Sequence, residues 1–261
     1  MLKKRLIPKL LLKNHKIGNQ NIIVSHTSKK FLNYFPSGSP VDQAKIFESQ
    51  MADELIVVDL EKKITSEDKI KIIKKIAKET FMPLCVGGGI KSVEDISKLI
   101  MNGADKVIVN SLIRDNPNII LGAAKKFGSQ CLVGAIDFKN NNLNESKIYD
   151  NKNKKLLDVG LVDFLKKIED YGLGEILVSD IDKDGTGEGM SIKTYKKINK
   201  YIKVPFLISG GCGLSEHIIQ GFKEANADAV VAGTFFCSRD QNLLQVRKKL
   251  LNAKLNVRSR L

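Results

Sequence analysis

The 261-residue chain has no tryptophan, three histidines and four widely separated cysteines. The histidines are not grouped at the spacing of zinc ligands, and no two cysteines form a C-x-x-C pair. Both absences argue against a structural metal centre, and we predict no metal and no cofactor. Each cysteine lies in or beside an apolar run, which is typical of buried free thiols in a reducing compartment, so we expect a cytoplasmic location.

Long apolar runs are also missing, because no stretch approaches the roughly 20 apolar residues needed to cross a bilayer. The N-terminal segment MLKKRLIPKLLLKN is basic and then apolar, as a signal peptide is. Pro8 and Lys9 interrupt its apolar run, however, and no small-residue cleavage site follows. We therefore predict a buried first strand here and no association with a membrane.

Acidic residues are outnumbered, with 29 Asp and Glu against 43 Lys and Arg, which gives a formal net charge of +14. A basic chain can bind nucleic acid. Here the lysines are scattered along predicted helix faces, without interleaved aromatic residues or a nucleic-acid-binding motif. We predict no nucleic-acid partner and expect part of the charge to favour an anionic, phosphorylated small-molecule substrate.

Short apolar runs rich in β-branched residues alternate with longer segments whose apolar residues recur at helical spacing. The strand candidates are 5–12, 54–59, 83–87, 106–110, 131–137, 175–180, 204–209 and 228–233. The helix candidates lie near 40–50, 66–80, 92–102, 115–127, 160–171, 191–202, 215–224 and 240–253. Eight strand–helix units in this length predict an α/β fold, a single (βα)8 TIM barrel over residues 1–261. A doubly wound open sheet is the alternative, but the Gly-rich loop that normally follows its first strand is missing.

An internal repeat supports the barrel. The segment VGGGIKSVEDISKLI (86–100) resembles ISGGCGLSEHIIQGF (208–222), and a similar strand follows each. The two halves therefore look like copies of one (βα)4 unit. The least regular segments are predicted at 13–39 and 139–157. Both follow strands, which places them on the C-terminal face, where barrel enzymes have their active sites.

Two glycine-rich turns follow predicted strands 3 and 7. Glycines let backbone N–H groups approach an anion, and the helix after each turn presents its positive end. A small polar group after the next strand completes each half-site. The predicted phosphate half-sites are Gly88, Gly89, Asn110 and Ser111 in the first half, and Ser209, Gly210, Gly211, Gly233 and Thr234 in the second. Together they suit a substrate with a phosphate at each end, and tight turns without a ligand are the alternative.

Four aspartates lie at the ends of predicted strands: Asp59, Asp137, Asp182 and Asp184. Acids at this place face the open end of a barrel and are candidates for general acid–base catalysis. Asp137 is the best catalytic candidate, because its strand leaves it at the rim. Helix capping or loop hydrogen bonding is the alternative for these residues.

These motifs match a known family. The matching segments are KRLIPKL, SGSPVDQA, ADELIVVDL, MPLCVGGGIKSVED, GADKVIVNS, FGSQCLVGAIDFK, GLGEILVSDIDKDGTGEG, VPFLISGGCGLSEH and ADAVVAGTFF, and they cover almost the whole chain in order. With them the chain resembles the cyclase subunit (HisF) of imidazole glycerol phosphate synthase, the lyase of histidine biosynthesis. The resemblance adds Asp184, Gly185 and Thr186 of the DGT segment to the substrate-binding residues.

The resemblance also implies a partner. In this family a glutaminase subunit docks on the N-terminal face of the barrel, and ammonia passes along the barrel axis to the opposite face. A ring of four charged residues gates that axis, and the matching positions are Arg5, Glu54, Lys106 and Glu175. A purely structural layer of ion pairs is the alternative for these four residues.

The match breaks at one catalytic position. The family has an aspartate near the end of strand 1, in a CLDVK segment, where this chain has KLLLK and Leu11. Leucine has no proton to give or take, and general acid–base assistance typically contributes about 10²–10⁴-fold. The family's substrate grip in the loop after strand 1 is not recognisable either.

Three functions remain open. The first is a paralogue that takes ammonia from a glutaminase but serves a different acceptor. Such relatives resemble components of surface-polysaccharide pathways, in which ammonia forms an acetamidino group on a nucleotide-linked sugar. The second is an ordinary cyclase in which another group replaces the strand-1 acid. The third is a non-catalytic subunit that activates the glutaminase. We favour the first.

Overall fold

Eight parallel strands form a closed ring in the computed structural model, which describes residues 3–17, 20–30, 32–143, 145–238 and 242–258. The described residues form twelve strands, of which eight belong to the ring and four to two hairpins outside it. They are β1 (Arg5–Ile17), β2 (Gln20–Lys29), β3 (Asn33–Gly38), β4 (Leu55–Asp59), β5 (Leu84–Gly87), β6 (Lys106–Val109), β7 (Leu132–Asn140), β8 (Ser146–Asp150), β9 (Lys155–Gly160), β10 (Glu175–Asp180), β11 (Phe206–Ser209) and β12 (Ala229–Ala232). Around the ring the order is β1-β4-β5-β6-β7-β10-β11-β12, and β12 pairs with β1 to close it. The predicted TIM barrel is thereby confirmed.

Helices connect successive barrel strands and surround the ring. They are α1 (Pro40–Ser49), α2 (Glu67–Glu79), α3 (Val93–Met101), α4 (Leu112–Asp115), α5 (Pro117–Phe127), α6 (Leu161–Lys167), α7 (Ile192–Asn199), α8 (Ser215–Lys223), α9 (Thr234–Ser238) and α10 (Leu243–Asn252). No helix of the described part of the chain is long and apolar enough to cross a membrane.

Each barrel strand is buried on both faces, which explains why its sequence is a continuous apolar run. On β1, Leu6 and Leu10 pack in the layer between the strands and the helices. Ile7 belongs instead to the apolar cluster inside the ring, with residues such as Ile56 and Leu177. Because side chains alternate along a strand, Arg5, Lys9 and Leu11 face the barrel axis together with Ile7.

The prediction of irregular structure at 13–39 and 139–157 was wrong. β1 continues beyond the barrel to Ile17, pairs antiparallel with β2, and β2 pairs with β3. In the same way β7 runs on to Asn140 and forms an antiparallel sheet with β8 and β9. The Lys- and Asn-rich composition of these segments is typical of loops, but residues 24–28 of β2 are all buried, on both faces of the strand, and this burial stabilises the hairpin.

Candidate functional site

The carboxyl ends of the barrel strands form one face, here called the mouth, and Asp137 lies buried there on β7. Its Oδ2 accepts a hydrogen bond from Asn110 Nδ2 at 2.8 Å and another from the Asn151 side-chain amide. Burial raises the pKa of Asp137 from 3.8 to about 6, and the positive charge of Lys9 is the largest effect that opposes this rise. Asp137 is therefore mainly ionised at neutral pH and has the properties of a general base.

A second buried carboxylate, Asp184, lies across the mouth. Lys9 Nζ is 3.8 Å from its Oδ1, and the Ser28 hydroxyl donates to its Oδ2. The backbone also joins here, because Lys30 N donates to the Asp184 carbonyl oxygen at 2.8 Å. Hairpin and barrel thus meet at Asp184.

Leu11 is buried on the inner face of β1, between His26 of β2 and Val58 of β4 in the sheet register. Its side chain lines the mouth but offers no hydrogen-bonding group. At this position strand 1 therefore contributes no acid to the mouth.

The residues of the second predicted half-site come together from distant parts of the chain. A cavity of about 20 Å³, room for about one water molecule, is bounded by predicted residues from three loops. These residues are Asp184, Gly185, Ser209, Gly210, Gly211, Gly233 and Thr234. Lys9, His26, Thr27 and Ser28 complete the lining.

The first half-site is arranged differently. Asn110 turns toward Asp137 and also donates to the Ala135 carbonyl oxygen at 3.0 Å. Ser111 directly precedes α4 and makes no side-chain cap there. Gly88 and Gly89 are half-buried in the turn after β5.

Backbone packing explains the glycines of the two turns independently of any ligand. Gly88 and Gly210 occupy equivalent places in the repeat and have φ of +116° and +100°. A Cβ at Gly88 would overlap the backbone of Asp59, and a Cβ at Gly210 would overlap that of Asp180. Close backbone packing therefore requires glycine at both positions whatever binds nearby.

Three other residues that the sequence singled out contact a neighbouring side chain or the backbone of their own turn. Asp59 pairs with the buried Lys69 at 2.9 Å and accepts Lys63 N at 2.7 Å. Asp182 is half-exposed at the rim, where it pairs with Lys139 at 3.1 Å. The Thr186 hydroxyl donates to the Lys183 carbonyl oxygen at 2.9 Å and so belongs to its own turn.

The sequence analysis missed three residues that contact the acids: Lys9, Ser28 and Asn151. Lys9 could have been found, because a lysine at an inward position of a barrel strand is unusual. The other two lie in segments that were predicted to be irregular, where no periodicity indicated which side chains face inward.

The four predicted gate residues form a closed ring at the opposite, N-terminal face of the barrel. Arg5 Nη1 lies 2.8 Å from Glu54 Oε2 and 3.0 Å from Glu175 Oε1. Lys106 Nζ lies 2.7 Å and 3.0 Å from the same two oxygens. The second oxygens, Glu54 Oε1 and Glu175 Oε2, are buried and accept no hydrogen bond from the described residues.

The sequence profile of the family named "Histidine biosynthesis protein" matches residues 6–241 of this barrel. The chain belongs to this family. Among its relatives, "Putative imidazole glycerol phosphate synthase subunit hisF2" of Prochlorococcus marinus is 39% identical over 99% of both chains. "Imidazole glycerol phosphate synthase subunit HisF" of Methanococcus vannielii is 36% identical over 99% of this chain and 100% of its own length. A hisF2 subunit of Vibrio vulnificus, named in the same words, is 36% identical over 99% of this chain and 92% of its own.

The similarity to these HisF-type subunits thus covers 99% of this chain and 92–100% of the relatives' own lengths. The family match includes both glycine turns, the mouth and three of the four ring residues, Glu54, Lys106 and Glu175. Leu11 lies within the matched region as well.

Proposed function

We propose that this HisF-type chain is the barrel subunit of a glutamine amidotransferase complex and passes ammonia to an acceptor other than that of the cyclase. Leu11 carries the proposal. It occupies the inner face of β1 at the mouth, where the cyclase resemblance places a catalytic aspartate, and it is only 6% exposed. Asp137 alone remains of the expected acid–base pair.

The barrel axis supports passage of ammonia. Beyond the ring of Arg5, Glu54, Lys106 and Glu175, the interior is lined by an apolar cluster that includes Ile7, Cys85 and Leu207. Neutral ammonia crosses such a layer at much lower cost than an ammonium ion, whose charge would have to be desolvated. The unpartnered oxygens of Glu54 and Glu175 can accept hydrogen bonds from ammonia at the entrance.

The N-terminal face offers apolar side chains to a glutaminase. Phe81, after α2, is 94% exposed, and Met101, at the end of α3, is 81% exposed. Phe81 precedes β5, and Met101 precedes β6, whose first residue is Lys106 of the charged ring. Docking of a glutaminase on this face would remove both side chains from water, which favours binding.

The mouth supports a phosphorylated acceptor, since the residues of the second half-site line one cavity. A nucleotide-linked sugar that receives ammonia as an acetamidino group, in surface-polysaccharide synthesis, meets this description. The hisF2 names among the relatives also favour a second HisF-type subunit beside that of histidine biosynthesis.

Complementation tests the proposal. A bacterial strain that lacks the cyclase subunit would be transformed with the wild-type gene, Leu11→Asp or Leu11→Asn, and grown without histidine on ammonium-rich medium, so that docking of the host glutaminase is not required. We expect rescue by Leu11→Asp alone, because only this variant restores a proton-transferring group. Leu11→Asn is the control for polarity without acid–base chemistry.

Two outcomes would contradict the proposal. Rescue by the wild-type gene would show an ordinary cyclase in which another group replaces the strand-1 acid. Absence of rescue by Leu11→Asp, with the variant expressed and folded, would show that Leu11 is not what separates this chain from the cyclase.

A further inference from the structure

Two changes occur together on the inner face of β1. The segment KLLLK has Leu11 where CLDVK has its aspartate, and it has Lys9 where CLDVK has its cysteine. One carboxylate is lost and one ammonium is gained, so the first strand makes the mouth more positive by two charges.

Lys9 is buried, with 6% of its surface exposed, yet its side chain reaches the second half-site. Its Cε lies 3.9 Å from the position of a Cβ on Gly233, the glycine that directly precedes α9. Its Nζ is 3.8 Å from Asp184 Oδ1. At that distance the two groups form an ion pair, because a direct N–H···O bond would be about 2.7–3.2 Å long.

A buried lysine needs a counter-charge, because an ammonium without one is strongly destabilised in a low-dielectric interior. Asp184 provides that charge, and the Ser28 hydroxyl holds the carboxylate in place through its other oxygen. An ammonium has three N–H donors. It can therefore keep Asp184 nearby and donate to an anion that enters the same cavity.

We propose that Lys9 binds the phosphate of the substrate in the second half-site, together with backbone N–H groups of the turns at Gly210–Gly211 and Gly233–Thr234. A charge-assisted hydrogen bond from a buried ammonium is stronger than one from a neutral donor. The charge of Lys9 thereby favours a phosphorylated acceptor over a neutral one. The inference rests on the proposed function in one respect, that the mouth is the substrate site.

The hairpin of β1 and β2 borders the same cavity, because His26, Thr27 and Ser28 belong to its lining. The Ser28 hydroxyl donates to Asp184 Oδ2, so a phosphate bound beside Lys9 would lie next to this contact.

Calorimetric titration of the full chain with inorganic phosphate tests the role of Lys9. The variants are Lys9→Met, Lys9→Cys and the control Lys3→Met, which removes one exposed lysine at the N-terminal end of β1, away from the mouth. We expect both Lys9 variants to bind phosphate at least about tenfold more weakly, a difference of about 1.4 kcal/mol. Lys3→Met should bind like the wild type. Lys9→Cys introduces the cysteine that CLDVK has at this position, and it serves as the test variant if Lys9→Met does not fold.

The outcomes separate this inference from the proposed function. If the wild type binds no phosphate, the phosphate half-sites of the proposed function fail, and the role of Lys9 fails with them. If the wild type binds phosphate and a folded Lys9 variant binds it equally well, only the role of Lys9 is overturned. Equal weakening in Lys3→Met would show a general effect of net charge and would also overturn it.

Discussion

At the scale of single residues, the properties of Asp137 depend on neighbours that are far away in the chain. Burial disfavours its ionised form, while Lys9 and the amides of Asn110 and Asn151 favour it. Burial is the larger effect, so the pKa of Asp137 rises to about 6. A carboxyl group in this state can take up and release a proton near neutral pH, which a surface aspartate cannot do efficiently.

This raised pKa makes stability depend on pH. Between about pH 4 and 6 the folded protein keeps a proton on Asp137 that the unfolded chain releases, so the native state binds more protons there. The stability that this proton provides is fully present below about pH 4 and is lost as the pH rises through about 6. Asp137→Asn should therefore be more stable than the wild type at pH 8, by up to about 3 kcal/mol, and similar to it at pH 4.

Urea unfolding of the wild type and Asp137→Asn at both pH values measures this difference, and the comparison cancels the other titrating groups. A difference in the free energy of unfolding that stayed constant with pH would contradict the raised pKa.

At the scale of elements, the hairpin of β1 and β2 is the part of the fold that most affects the mouth. Besides the contact between Ser28 and Asp184, the Thr234 hydroxyl donates to the Ser28 carbonyl oxygen at 3.1 Å. Gly185 packs so closely that a Cβ there would overlap the same carbonyl group. β2 is therefore fastened to the second half-site by polar contacts of Ser28, in addition to its pairing with β1 and β3.

Removal of one of these contacts should loosen β2 without unfolding the barrel. In Ser28→Ala, Asp184 Oδ2 loses its hydroxyl donor, which costs about 1–3 kcal/mol for a buried group. We expect faster hydrogen exchange of the amides of residues 24–29 and unchanged exchange in the barrel strands. Ser146→Ala is the matched control, because the Ser146 hydroxyl donates to Asn140 of its own hairpin, away from β2. Equal exchange of β2 in Ser28→Ala and wild type would show that this contact does not hold the hairpin.

At the scale of the whole molecule, the barrel separates two surfaces of different character. The N-terminal face has the charged ring, with Phe81 and Met101 exposed before β5 and β6, and the mouth has the buried acids, Lys9 and the residues of the predicted half-sites. Between them lies the apolar interior of the barrel. This arrangement suits a protein that receives a small neutral molecule at one end and uses it at the other.

Binding of a glutaminase should accordingly depend on one face only. We expect Met101→Asp to weaken binding of the glutaminase subunit from the same genome by at least about tenfold, because a charge would be buried at the interface. Leu143→Asp is the control, since Leu143 is 79% exposed but follows β7 on the side of the mouth. Biolayer interferometry with both variants measures the two affinities. Equal loss in both, or loss in Leu143→Asp alone, would contradict docking at the N-terminal face.

The sequence by itself determined the barrel, the repeat of its halves and the absence of an acid at Leu11. These features depend on periodicity, on local turn chemistry and on the identity of one residue, all of which can be read along the chain. It also placed Asp137 correctly at the end of a buried strand, because strand ends share one face of a parallel barrel.

Only the tertiary structure decided which side chains meet. The ion pairs of Arg5 and Lys106 with both acids of the charged ring, the approach of Lys9 to Asp184, and the hydrogen bonds of Asn151 and Ser28 join residues that are separated in the chain. The two hairpins escaped the sequence analysis for the same reason, since their polar strands are stabilised by pairing and burial rather than by their own composition. Long-range contacts of this kind follow from the closure of the ring, and no local pattern contains them.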